Sequence, residues 1–145
     1  MKDKIGDDLR ARNSAWTFKG SVAKNFQNHI SRSIPFYTQG QELVTQVSDF
    51  FIKNDSICYE LGCSTGALTN LLAKRHILKK KAKFVGIDIE KDMIRQAKKR
   101  KVNSNLQFIC GDVVKQKLKK SDLIISYYTT QFIRPSDRQI FFKCI

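Results

Sequence analysis

Nine residues, Cys58-Tyr59-Glu60-Leu61-Gly62-Cys63-Ser64-Thr65-Gly66, constrain this chain more than any others. A β-prone run from Ser56 to Leu61 carries an acid near its end and runs into a loop bounded by Gly62 and Gly66. Leu68, Leu71 and Leu72 follow at the spacing of one helix face. The succession reads as strand, glycine loop, helix, the unit that brings a backbone close to a nucleotide-like ligand. Glycine has no Cβ, so the chain can turn sharply there and its amides can approach the ligand.

The surrounding pattern is α/β. Val22, Phe26 and Ile30 predict a helix over about 21–33, ended by Pro35. A second helix is expected from Thr38 to Ile52, with Leu43, Val47, Phe50 and Phe51 as its apolar face. Strands are expected at Ile57–Leu61, Lys83–Ile87, Leu106–Cys110 and Asp122–Tyr128. Helices over Thr65–His76 and Glu90–Lys101 separate the first three. Leu123-Ile124-Ile125 is a continuous apolar run and predicts burial on both faces. Ser136-Asp137-Arg138-Gln139 reads as a capping box opening a last helix. This alternation predicts a doubly wound, mainly parallel sheet with right-handed crossovers and two N-terminal helices. Residues 1–55 would pack onto the core as a segment with two helices, and 56–145 would carry the sheet. Met1 to Ser14 reads as loose, and Trp16-Thr17-Phe18 as an anchor onto the main body.

At 145 residues and 41% hydrophobic content, the chain can build one core. No apolar run reaches membrane-spanning length, and Met1 to Arg12 lacks a signal-peptide pattern. Cys58, Cys63, Cys110 and Cys144 form no CxxC pair and read as reduced thiols of a cytoplasmic protein, with no metal site. The net charge of +14 is unevenly spread: 8 basic and 6 acidic residues precede Cys58, against 19 and 7 from there on. Lys79-Lys80-Lys81, Lys98-Lys99-Arg100-Lys101 and Lys115 to Lys120 carry the excess. A nucleic-acid surface is one meaning of these runs, but no aromatics interleave with them, which favours an ordinary solvated face.

A doubly wound sheet binds its ligand beyond the carboxyl ends of its strands. Four features converge there: the Glu60–Gly66 loop, Asp88-Ile89, Gly111-Asp112-Val113, and Tyr127-Tyr128. The loop is no GxxxxGK[ST] phosphate loop and lacks the GxGxxG spacing of dinucleotide sites. An acid opening the loop would repel a pyrophosphate and suits a ligand with an ammonium or sulfonium group. Asp88 can accept hydrogen bonds from both ribose hydroxyls, and Asp112 with nearby amides suits an adenine edge. Simpler roles stay open. Glu60 could cap the loop amides, Asp112 could be a turn residue, and Tyr37, Tyr127 and Tyr128 could pack. His29 and His76 read as surface or capping groups.

The loop resembles motif I of class I S-adenosylmethionine (SAM)-dependent methyltransferases, Asp88 their ribose-binding acid, and Gly111-Asp112 their adenine-side motif. Within that superfamily the chain is similar to the carboxy-S-adenosyl-L-methionine synthase family. The likeness rests on Trp16-Thr17-Phe18, Val22-Ala23 and Phe26, Arg32 to Tyr37, Leu61-Gly62-Cys63-Ser64, and Thr129 to Gln139. It implies a Rossmann-like enzyme that converts SAM and prephenate to carboxy-SAM, the methyl group being deprotonated and carboxylated. A separate enzyme then uses the product on tRNA wobble uridine, so direct tRNA binding is not required. It also implies a possible homodimer, and a cofactor site of Tyr37, Glu60, Gly62, Cys63, Ser64, Gly66, Asp88, Ile89, Asp112, Val113 and Tyr127, with no catalytic base assigned. Two departures stand out. Tyr127 occupies the place of a family asparagine, and Ser64 that of the loop's middle glycine in the wider superfamily. Against seven family strands only four are expected here, so the chain reads as truncated after Ile145. The family arginine for the added carboxylate would lie beyond that point, and Arg134 and Arg138 read as serving a helix start. An ordinary methyltransferase and a non-catalytic SAM-binding remnant are the alternatives.

Overall fold

The computed structural model describes residues 10–12, 15–17 and 22–145. The roles expected of Met1 to Ser14 and of Trp16-Thr17-Phe18 fall largely outside the described residues. Strands β1 (Arg10–Arg12) and β2 (Ala15–Thr17) pair antiparallel. Helices α1 (Val22–Ser33) and α2 (Tyr37–Val47) follow, the latter tightening into a 3₁₀ turn at Ser48–Phe50. Then come β3 (Ile57–Leu61), α3 (Ala67–Arg75), β4 (Lys83–Asp88), α4 (Lys91–Lys99), β5 (Leu106–Cys110), β6 (Leu123–Ile125) and α5 (Pro135–Lys143).

Strands β3 to β6 form one parallel sheet in the order β5-β4-β3-β6. The order reverses at β3, as a doubly wound sheet requires, and a switch point opens beyond its carboxyl end. Side chains alternate faces with the strand period of two. Cys58, Phe84, Leu106, Phe108 and Ile125 join Leu68, Leu72 and Ala97 in one cluster, under α3 and α4. Tyr59, Leu61, Val85 and Ile87 join Phe141 and Ile133 on the opposite face, under α5. Full burial of Phe84, Leu61 and Phe141 contributes about 2–3 kcal/mol each by apolar transfer. Met93 of α4 meets Ala23 and Phe26, seating α1.

Three local expectations need correction and a fourth is settled. The face of α2 that turns inward is the polar one: Tyr37, Gln41, Thr45 and Ser48 are buried, while Leu43, Val47, Phe50 and Phe51 are exposed. The buried hydroxyls are satisfied within the helix, Thr45 donating to Gln41 O at 2.7 Å and Ser48 to Thr45 O at 2.6 Å. The last strand is only three residues long, with Leu123 and Ile124 half-buried, because Tyr127 and Tyr128 leave the ladder. No capping box forms at Ser136. Arg134 takes the N-cap position and Pro135 the first turn, where its missing amide costs nothing. Of the two readings of His76, surface or capping, the structure keeps the second: it is the C-cap of α3, buried, with its Nε2 2.7 Å from the Ser48 hydroxyl. The free cysteines divide into buried Cys58 and Cys63 and exposed Cys110 and Cys144.

Candidate cofactor site

Beyond Leu61 the chain turns through three residues of positive φ, Gly62 (79°), Ser64 (49°) and Gly66 (74°). A Cβ at Gly62 would overlap the Thr129 hydroxyl and stand 2.8 Å from the Thr129 Cβ. Thr129 closes over the turn from the β6 side, donating to Leu61 O at 2.9 Å. At Gly66 a Cβ would lie 2.7 Å from the Phe108 ring, so the loop needs glycine at both ends. Ser64 holds a left-handed conformation that favours glycine, at a cost of about 1–2 kcal/mol.

The loop is held by its own bonds. Gly62 and Cys63 donate their amides to Ile87 O at 2.8 and 3.0 Å, and Gly66 donates to Cys63 O at 2.8 Å. Ser64 donates to Asp88 Oδ2 at 2.8 Å, while Glu90 N donates to Asp88 Oδ1 at 2.9 Å. The amides expected to meet a ligand are therefore committed to the protein. Close approach here comes from the missing Cβ atoms, and Asp88 joins the β3 loop to the start of α4. Asp88 is also hydrogen-bonded by the Ile89 backbone, so three amides hold its carboxylate and it keeps about one lone pair for a ligand hydroxyl.

Glu60 is buried, accepts from Thr69 Oγ1, and is also hydrogen-bonded by the Thr69 backbone. It thus caps the first turn of α3 and not the loop amides. Burial pushes its carboxyl up to about 8, against the lowering effect of the Thr69 bonds. Burial also raises Asp88 despite its amide donors. A cation arriving beside these acids would favour their ionised forms, so the donor set fits a sulfonium or ammonium ligand.

Tyr37 is buried and bonded to the Gln41 side chain, and its hydroxyl is held well above the usual phenol range by burial and then by Glu60. Its ring centroid is 5.2 Å from that of Tyr127 and 5.5 Å from that of Tyr128, and Tyr127 OH donates to Tyr37 O at 2.8 Å. Sequence reading placed Tyr37 and the pair Tyr127-Tyr128 at the site separately; the structure packs the three together. Phe36, next to Tyr37, and Tyr128, within the trio, take positive φ of 58° and 53°. Such backbone is uncommon for bulky residues and clusters at functional sites.

The far side of the expected site is looser. Ile89 is exposed at the end of β4. Asp112 Oδ1 accepts from Val114 N at 3.0 Å in a turn, and Val113 packs into the α5-side cluster. Arg134 pairs with Asp137 at 2.7 Å and Arg138 Nε donates to Ile133 O at 3.0 Å, so both are engaged at the start of α5. Thr69, Gln41 and Thr129 were missed as site-shaping residues. The signal for Gln41 was the polar repeat Tyr37, Gln41, Thr45, Ser48, a second helical stripe competing with the apolar one. Among the described residues no group of three or more His, Cys, Asp or Glu could hold a metal, and no helix is long and apolar enough to cross a membrane.

A parallel sheet reversing at β3, a glycine loop after that strand and an acid closing it after the next define the class I SAM-dependent methyltransferase fold. The chain belongs to the methyltransferase-domain family, whose model matches residues 59–145. The family's cofactor is S-adenosyl-L-methionine. The carboxy-S-adenosyl-L-methionine synthase of Helicobacter hepaticus is 34% identical over 95% of this chain and 59% of its own length. The chain spans about three fifths of the length of such curated relatives. Among solved structures, a SAM-dependent methyltransferase from Methanococcus maripaludis superposes with a TM-score of 0.68 at 23% identity, covering 89% of this chain and 59% of that one. The magnesium protoporphyrin IX methyltransferase of Synechocystis, solved with bound SAM, gives 0.65 at 17%, covering 86% and 64%. These two likenesses concern the fold.

Proposed function

We propose that the chain binds SAM at the carboxyl end of β3 and β4 and serves a carboxy-SAM synthase reaction with prephenate. The observation that carries this reading is the 34% identity to a protein of that name across nearly the whole chain. Asp88 would take the ribose hydroxyls, Gly62, Cys63, Ser64 and Gly66 the close face of the nucleoside, and Glu60 with Tyr37 and Tyr127 the charged end. Ile89, Asp112 and Val113 would border the adenine. SAM supplies a sulfonium that acidifies its attached methyl group. The carboxyl would come from prephenate, which on losing carbon dioxide and hydroxide becomes phenylpyruvate; the methyl proton and the hydroxide leave as water. This chain's own residues would orient the sulfonium and exclude water. Residues 1–55 would be a helical segment packed on a SAM-binding core at 56–145. A cytoplasmic homodimer feeding tRNA wobble-uridine modification is the setting this reading implies.

The test is mass spectrometry of the nucleosides formed from SAM with and without prephenate. The expected product is SAM heavier by one carbon dioxide, formed only with prephenate. S-adenosylhomocysteine in its place would indicate methyl transfer. SAM binding without any product would overturn the synthase reading for this chain.

A further inference from the structure

Sheet polarity sorts the charge of this chain. Every helix-to-strand connection of a parallel sheet arrives at the amino ends of the strands. The ladders set Ile57 level with Lys83, Cys58 with Leu123 and Phe84 with Leu106. Bonds between the connections draw them together: Lys80 N to Asn54 Oδ1 at 2.9 Å, Phe84 N to Asn105 O at 3.0 Å, and Asp122 N to Ile57 O at 2.9 Å. Two of the lysine runs and the end of the third thus feed one end of the sheet, while Lys115 pairs with Asp112 on the other side. Lys80, Lys81, Lys83, Lys99, Lys101 and Lys119 are all exposed, and none makes an ion pair among the described residues. Asp49, Asp55 and Asp122 are the acids at this end; Asp49 is paired with Arg75 at 2.5 Å, and Asp122 Oδ2 already accepts from Ile57 N at 2.9 Å. Glu60, Asp88, Glu90 and Asp112 lie at or beyond the carboxyl ends.

Four strands spread this end over about 15 Å, a width along which duplex nucleic acid presents roughly nine phosphates. Beside the lysines lies a groove of about 390 Å³ lined by Lys81, Lys83, Ser104, Asn105 and Gln107. Ile77 and Leu78 are exposed on the connection that carries Lys79 to Lys81, but two apolar side chains are less than the apolar face a membrane-bound surface inserts. We propose that the amino end of the sheet docks the phosphate backbone of a nucleic-acid duplex through these lysines, opposite the cofactor site. Without aromatic stacking the contact would be electrostatic and independent of sequence.

Fluorescence anisotropy of labelled RNA and DNA duplexes, titrated with the protein over a salt series, tests this. Log affinity should fall linearly with log salt, by about 0.9 per phosphate contact. The variant Lys80→Gln/Lys81→Gln/Lys99→Gln/Lys101→Gln should lose at least tenfold in affinity and lower the slope by about one per lysine. It should keep its circular dichroism spectrum and its SAM affinity. Lys91→Gln/Lys143→Gln, at other places on the fold, should bind duplex as the parent does. Tight binding of either duplex supports the proposal. It is overturned by absence of binding at low salt, by equal losses in the two variants, or by preferential retention on phosphatidylserine vesicles.

Discussion

Glu60, at the end of the central strand, accepts the hydroxyl of Thr69 across the first turn of α3. An acid so enclosed binds its proton more tightly when the protein is folded. Its carboxyl sits at about 8, against 4.5 for a free one. Between those values the folded protein holds a proton that the unfolded chain has released, so stability falls as pH rises through the window. The slope is about 1.4 kcal/mol per pH unit. Asp88, also raised, acts in the same direction. His76, lowered by burial, acts in the opposite one, losing stability as pH falls below its ordinary range. Urea denaturation of the parent and of Glu60→Gln at matched pH isolates the Glu60 part. The difference between them should change across the window and be flat above about 8.

Binding of a cation would extract that proton. Calorimetric titration with SAM in two buffers of different ionisation enthalpy should show proton release at neutral pH, and Glu60→Gln should release less. Equal enthalpies in both buffers for the parent would remove Glu60 from the charged end of the site.

Replacing Asp88 by Asn should weaken SAM binding more than tenfold. The amide would set an NH₂ group against at least one of the backbone donors Ser64, Ile89 and Glu90, leaving a polar group unpaired at about 1–3 kcal/mol. Titration calorimetry gives the affinity and thermal unfolding the structural share.

Gly62 and Ser64 should respond in opposite ways. Gly62→Ala meets Thr129 and a φ of +79°, and should cost at least about 2 kcal/mol in denaturant unfolding. Ser64→Gly relieves a φ of 49° but frees the unfolded chain, so its net effect should lie between zero and about 1 kcal/mol of stabilisation. A destabilised Ser64→Gly would mean that the Ser64 Oγ contact with Met93 Sδ at 3.5 Å matters more than the backbone strain.

The α2 face predicts a contrast. Leu43→Lys alters an exposed side chain and should stay within about 0.5 kcal/mol, whereas Phe84→Ala should cost about 3–5 kcal/mol. A large loss at Leu43 would show that this face is covered in solution.

The sheet was legible because its signals are local. Alternation placed β3, β4 and β5 almost to the residue. What misled was a stripe that is apolar without being inward. Leu43, Val47 and Phe50 have helical spacing, but Tyr37, Gln41, Thr45 and Ser48 share a second stripe and are the ones the fold buries. Periodicity marks a face and not its direction. Glu60, Asp88 and the loop glycines could be placed from sequence because each sits at the end of a predicted element. Their bonding could not, since Thr69 and Thr129 are recognised as partners only once the chain has folded back.

The Thr129 hydroxyl bond to Leu61 O spans 68 positions. The shape of the glycine loop is therefore settled by a residue that follows β6, and closing so long a chain is entropically slow. The loop cannot reach its final form while β3 and β4 are the only strands assembled. A ligand bound to it should accordingly retard unfolding of the whole sheet, and a nascent chain should acquire that affinity only after Thr129 has left the ribosome.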